Sequence, residues 1–404
     1  MEKQRESRID LLRGLALLLI FVGHSEFSFS GFVQHSRGFA DASDIFVLLA
    51  GVSAALAYYR TDGSIQWLRP WKRALTLYLV HILLFSVLAA IAAALMLGDG
   101  VTAWTDMISF WHAPSQHGTE ALLLTYMPGN LDILPLYVVL LGVVPIVFWL
   151  HHRSQMLLLG LSCLVWLASG IGHINLRNWA LDDHDWYFDP FSWQFLFIIG
   201  IVIGIGLKQS RPVLRYDRLV FIAAAAFAVA AIPINLAVYL GLTGPPLGEL
   251  YHQLVSKTNS GPLRVLNAVA ILYLAWNIRF VLVAANLPAF RLICAAGKHS
   301  LPVFSLGVLL VWVAKMLLST TANTPLSIQI AMLVIGCLLQ LTTARCLEER
   351  QRKIIQQKDV TATMSLQRGI TGGSANNGAW CENVDPSDLA SRTRLPKASA
   401  ITRC

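Results

Sequence analysis

Runs of about 17 to 25 mainly apolar residues, separated by short polar breaks, recur from residue 9 to about residue 344 of this chain. A helix of that length crosses the ~30 Å hydrocarbon core of a bilayer at ~1.5 Å per residue. Ten such segments can be placed, at roughly 9–28, 44–60, 74–97, 131–150, 156–173, 191–207, 219–240, 263–285, 300–318 and 326–344. Backbone polar groups inside a bilayer must pair within the protein, and long Leu, Ala and Gly runs do so as helices rather than as barrel strands. The expected class is all-α, a polytopic membrane protein with about ten transmembrane helices. Only 13% of the 404 residues are charged, against ~25% in soluble domains, so an ordinary soluble enzyme is excluded.

Lys and Arg set the expected orientation. With the N-terminus inside, Lys3, Arg5, Arg8, Arg60, Arg69, Lys72, Arg73, Arg153, Lys208, Arg211 and Arg215 collect on the cytoplasmic side. The outer side before the tail holds Arg37, Arg177, Lys257, Arg264 and Lys315, among acids such as Asp99, Asp106, Asp182 and Asp183. Both termini are therefore expected to be cytoplasmic. The net charge of +8 follows from this topology and a basic tail, and it is no sign of nucleic-acid binding. Lys3, Arg5 and Arg8 before an apolar stretch could also open a signal peptide, but no small-x-small site follows and Arg13 interrupts the stretch, so cleavage is not expected. The six cysteines avoid the expected outer loops, which predicts no disulfide, and no Cys/His spacing suggests a metal site. At about residue 345 the composition changes. Arg345, Arg350, Arg352 and Lys353 form a basic cluster suited to anionic headgroups, and the stretch through TGGSANNG reads as disordered. Two regions are expected: a membrane domain over 1–344 and a cytoplasmic, largely disordered tail over 345–404.

The first span, RIDLLRGLALLLIFVGH at residues 8–24, carries Arg8, Asp10, Arg13 and His24. Ionisable groups in a membrane helix are costly and point to function by default. Arg13 and His24 are eleven positions apart, about three turns, so they share a face with ~16 Å between them along the axis. Imidazole titrates nearest to operating pH and could deprotonate an alcohol or carry a group covalently. The alternative for His24 is an interhelical structural hydrogen bond. For Arg13 it is a side chain that snorkels to the inner headgroups.

This stretch resembles the opening of the OpgC family, membrane proteins that succinylate osmoregulated periplasmic glucans. That family is similar in turn to the acyltransferase-3 group, which has an arginine, ten intervening residues and a histidine on its first helix. The resemblance continues in ADASDIFVLLAGVSAALAYYR (40–60), LPLYVVLLGVVP (134–145), DPFSWQFLFIIG (189–200), KTNSGPLRVLNAVAILYL (257–274) and GKHSLPVFSLGVLL (297–310). One position departs from it: Gly23 stands where an acidic residue is expected before the histidine.

The resemblance implies an acyltransferase of the bacterial inner membrane. It would move an acyl group, succinyl by family, from cytoplasmic acyl-CoA to hydroxyls of periplasmic glucan, with no permanently bound cofactor. The competing readings are a polysaccharide or lipid transporter or flippase, and acetyl transfer to another surface polysaccharide. On the acyltransferase reading His24 is the base or acyl carrier, and Arg13 meets the donor's arm or carbonyl. Asp44 either orients His24 or caps its own helix. Arg8 and Asp10 either pair to shape the inner mouth or mark an ordinary helix start. Arg69, Lys72, Arg73, Lys298 and His299 are candidates for the CoA phosphates, against the general basicity of inner loops. Arg264, an unexpected outer cation, could hold the free carboxylate of a succinyl group. Trp104, Trp111, Trp179, Trp186 and Trp193 suit sugar stacking as a group, while for any single one of them an aromatic belt is the stronger reading.

Overall fold

The structure is a computed structural model and describes residues 6–96, 105–181, 184–211, 213–319 and 324–372. Trp104, Asp182 and Asp183 lie outside these residues. The described residues form helices and loops without a strand, apart from one isolated bridge between Arg177 and Asp185. In chain order the helices are α1 (Ser7–His24), α2 (Ser30–His35), α3 (Ala42–Tyr58), α4 (Leu68–Met96), α5 (Thr105–Phe110), α6 (Pro114–Leu122), α7 (Ile133–Arg153) and α8 (Gln155–Gly172). They continue with α9 (Pro190–Lys208), α10 (Arg218–Tyr239), α11 (Glu249–Leu254), α12 (Pro262–Asn277), α13 (Arg279–Asn286), α14 (Arg291–Lys298), α15 (Ser300–Ser319) and α16 (Leu326–Gly372).

Their starts follow from local chemistry. Asp189 accepts hydrogen bonds from the Phe191 and Ser192 amides and so caps α9, as Asp217 does for α10 through Leu219 and Val220. At α3 the sequence Asp41-Ala42-Ser43-Asp44 makes a reciprocal capping box: Asp41 accepts from the Ser43 amide at 2.8 Å, and Asp44 accepts from the Asp41 amide at 2.8 Å.

Among the described residues seven helices are long and apolar enough to cross a membrane: α4, α7, α8, α9, α10, α15 and the Leu326–Lys358 part of α16. The chain is therefore an all-helical, multi-pass membrane protein. α1 carries three charges and α3 has 17 residues, which sets them apart from those seven. The segment expected as one span over 263–285 is broken: α12 and α13 meet at 71° across Ile278, whose backbone is extended. Asn277 secures the break by donating to the Tyr273 carbonyl at 2.9 Å. Neither Pro nor Gly stands there, so the bend left no mark in the sequence.

Burial divides the helices into an inner group and a lipid-facing group. α3, α7 and α9 bury most of their length, including Val47, Leu48, Leu136, Leu140, Trp193 and Leu196. α10 buries only Ala231, while Leu219, Val220 and Val229 are exposed, as are Met156, Leu161 and Leu164 on α8. Such wide apolar exposure would be an aggregation hazard in water, whereas in lipid it costs nothing.

The inner helices approach closely through glycine. A Cβ at Gly200 on α9 would run into the Leu48 carbonyl on α3, and a Cβ at Gly51 would run into the Phe197 carbonyl in return. Gly200 and Gly204 thus pack against a helix of their own chain. Gly200→Ala is expected to cost about 1–3 kcal/mol by overpacking, read as a lower thermal-unfolding midpoint in detergent. Gly160→Ala on α8, where a Cβ meets nothing within 4 Å, should be neutral or stabilising. Equal midpoints for the two variants would contradict the packing.

The compact unit closes at Glu348. The boundary expected at 344/345 falls inside α16, which continues as helix through Gly372, and residues 373–404 lie outside the described residues.

Candidate functional site

α1 presents its polar groups to the interior at two levels. Near its middle, the Arg13 guanidinium turns into the protein: Nη2 donates to Ser300 Oγ at 2.8 Å and Nη1 to Ser53 Oγ at 3.2 Å. Ser300 opens α15 and Ser53 lies on α3, so Arg13 ties three helices together. It also lines a cavity of about 230 Å³ with Phe46, Tyr58, Arg73, Ile133, Tyr137 and Phe304. The Tyr137 hydroxyl in that wall is buried and has no hydrogen-bond partner among the described residues. Sequence reasoning passed over Ser53, Ser300 and Tyr137, because a serine or tyrosine in an apolar helix carries no signal until the helices around it are known.

At the C-terminal end of α1, His24 lines a smaller cavity of about 30 Å³ with Ser43, Asn130, Asp132, Ile133 and Phe304. Asn130 interacts with the imidazole by a side-chain hydrogen bond and holds a left-handed backbone at φ 69°, a conformation that Asn accepts more readily than most residues. Ile133 and Phe304 belong to the walls of both cavities. Arg13 and His24 therefore border two spaces that adjoin across this pair of side chains.

Asp44 is fully buried, and its carboxylate faces Arg264 at 2.5 Å besides accepting from the Asp41 amide. Arg264 also reaches Asp41 at 3.0 Å, and Lys257 reaches Asp41 at 2.9 Å. This network pins the start of α12 to the start of α3. It gives Asp44 a capping and ion-pairing role, and it already neutralises Arg264 with two carboxylates.

The candidate phosphate-binding and helix-start cations divide. Arg73 lines the large cavity, with Arg69 and Lys72 exposed on the same end of α4. Lys298 and His299 both face Glu348 at 3.2 Å, next to the Ser300 that holds Arg13. Arg8 pairs with Glu6 at 2.9 Å, donates to the Trp276 carbonyl and lies over the Trp276 ring. Asp10 is buried where Gly297 of α14 packs against its backbone. None of the four lines a cavity named here, so the structure does not bring Arg8, Asp10, Lys298 or His299 together with Arg13 and His24.

Of the tryptophans, Trp193 is fully buried and donates to the Lys257 carbonyl at 3.0 Å, and Trp186 is buried and donates to the Arg177 carbonyl at 3.1 Å. These two rings hold loops and have no free face for a sugar. Trp111 and Trp179 are exposed.

The fold and the paired polar cavities define a multi-pass membrane protein with a histidine at the meeting point of two internal spaces. The family model described as OpgC protein matches residues 5–352, and the chain belongs to that family. Membership places it with acyltransferase-type proteins that act on glucans. No curated protein and no solved structure matches the chain.

Proposed function

We propose that this protein transfers an acyl group, succinyl by family, from cytoplasmic acyl-CoA to a hydroxyl of periplasmic glucan. It would do so in the bacterial inner membrane, with ten crossing segments and both termini inside. The observation that carries the reading is the adjoining pair of cavities, one bordered by Arg13 and the other by His24, that share Ile133 and Phe304. A thioester arm entering the larger cavity from the cytoplasm would pass Arg13 and Tyr137. Its phosphates would stay with Arg69, Lys72 and Arg73, where charge-assisted bonds are strongest. At His24 the imidazole takes the proton of the sugar hydroxyl, the alkoxide oxygen attacks the thioester carbonyl, and the departing thiolate recovers the proton. Trp111 and Trp179 suit the outer approach of a sugar.

Purified protein in liposomes, given glucan and radiolabelled acyl-CoA, should release CoA thiol and place ester-linked label on glucan in equal amounts. Movement of glucan across the membrane without thiol release would replace this reading with transport.

A further inference from the structure

Beside the His24 imidazole lies a further small cavity of about 10 Å³, lined by Gly23, His24, Gln34, Arg37, Asp41 and Lys257. Alone it has room for about one water. Its space is extended at Gly23, where a Cβ would meet nothing within 4 Å. Arg37 donates through Nε to the Val33 carbonyl at 3.1 Å, but its Nη1 is buried with no hydrogen-bond acceptor among the described residues. Around it Lys257 leans on Asp41, and Arg264 is shared between Asp41 and Asp44. Among the described residues of this cluster, Arg37, Lys257 and Arg264 face Asp41 and Asp44, which leaves three cations to two carboxylates. Farther out, Lys315 is paired with Glu26 at 2.6 Å, and Asp132 lines the neighbouring cavity. Arg37 as a whole is half-buried, but a buried N–H without an acceptor is costly, and guanidinium fits a carboxylate in a fork.

We infer that Arg37 and Lys257, opening onto the space left by Gly23, form a carboxylate subsite one residue step from the catalytic imidazole. The subsite seats the free carboxylate of a dicarboxylic acyl group while its thioester end is at His24. This inference rests on the acyl-transfer reading above. It moves the carboxylate-binding role from Arg264, which Asp41 and Asp44 already neutralise, to Arg37.

The test uses the full chain in liposomes, with neutral glucan and either succinyl-CoA or acetyl-CoA as donor. The kcat/KM ratio of succinyl to acetyl transfer should be about tenfold to hundredfold in the native protein, the worth of one charged hydrogen bond. It should collapse toward one in Arg37→Gln and be largely kept in Arg37→Lys. Gly23→Leu should shift the ratio toward acetyl by filling the space that the carboxylate would take. Thermal midpoints measured alongside separate loss of folding from loss of preference. A ratio unchanged in both Arg37→Gln and Gly23→Leu overturns the subsite while leaving acyl transfer intact, whereas no thiol release from either donor defeats the transfer reading itself. If the Arg37 variants alter the use of acidic against neutral glucan and leave the donor ratio alone, the assignment to the acyl chain is overturned in favour of an acidic group on the acceptor.

Discussion

Replacing His24 with alanine is expected to lower acylation of exported glucan by about 10²–10⁴-fold, the usual worth of a positioned base. The measurement compares intact protein and variant at matched membrane levels in a glucan-producing cell that lacks this activity. The size of the effect follows from the acceptor: an alcohol is a weak nucleophile until its proton is taken, and the His24 imidazole lines the cavity that adjoins the one bordered by Arg13. His24 is half-buried at the end of α1, so its removal should leave the thermal midpoint close to native. A loss of activity paired with a large loss of stability would indicate a structural histidine, and equal acylation would remove it from the mechanism.

Asp44→Ala is expected to cost about 3–5 kcal/mol of stability, because it strips a fully buried cation of one partner and opens the α3 capping box at once. The thermal midpoint in detergent and the yield of folded protein should both fall sharply. Arg264 remains beside Asp41 in the single variant, so the penalty comes chiefly from charge left uncompensated in a dry site. The double variant Asp44→Ala with Arg264→Met should recover part of the loss, as buried ion pairs exchanged for apolar groups often do. Asp44→Asn separates the two roles drawn from the sequence. If Asp44 orients His24, activity falls while stability holds. If it caps and pairs, as its contacts indicate, stability falls first.

The segments were readable because hydrophobic length is a local property. Nine of the ten expected runs coincide with helices to within a few residues at most ends, as at α7 over Ile133–Arg153 and α9 over Pro190–Lys208. The greater departures are α4, which begins earlier at Leu68, and α16, which runs on to Gly372. The Arg13 and His24 stripe was equally readable, since helix periodicity alone places both on one face. What stayed hidden depends on residues far apart in the chain. Arg264 and Asp44 each stood out, one as an outer cation and one as a helix-start acid, yet their pairing spans 220 positions. Nothing in either neighbourhood declares it. The break at Ile278 was silent because an extended residue between two apolar helices looks like helix in composition. Trp186 and Trp193 looked like sugar platforms from their acidic neighbours, but burial by loops drawn from other helices makes them structural. The cavity beside Gly23 left no sign in the sequence beyond a glycine where an acid was expected, and its cationic wall assembled only in three dimensions.

The central claim is that a donor from one side of the membrane and an acceptor from the other meet at His24. Sealed liposomes with uniformly oriented protein test it directly, with labelled acyl-CoA confined to the face that bears the N-terminus and glucan confined to the opposite face. The account predicts ester-linked label on glucan from that arrangement and none when the two compartments are exchanged. Labelling that requires both substrates on the same face would contradict it.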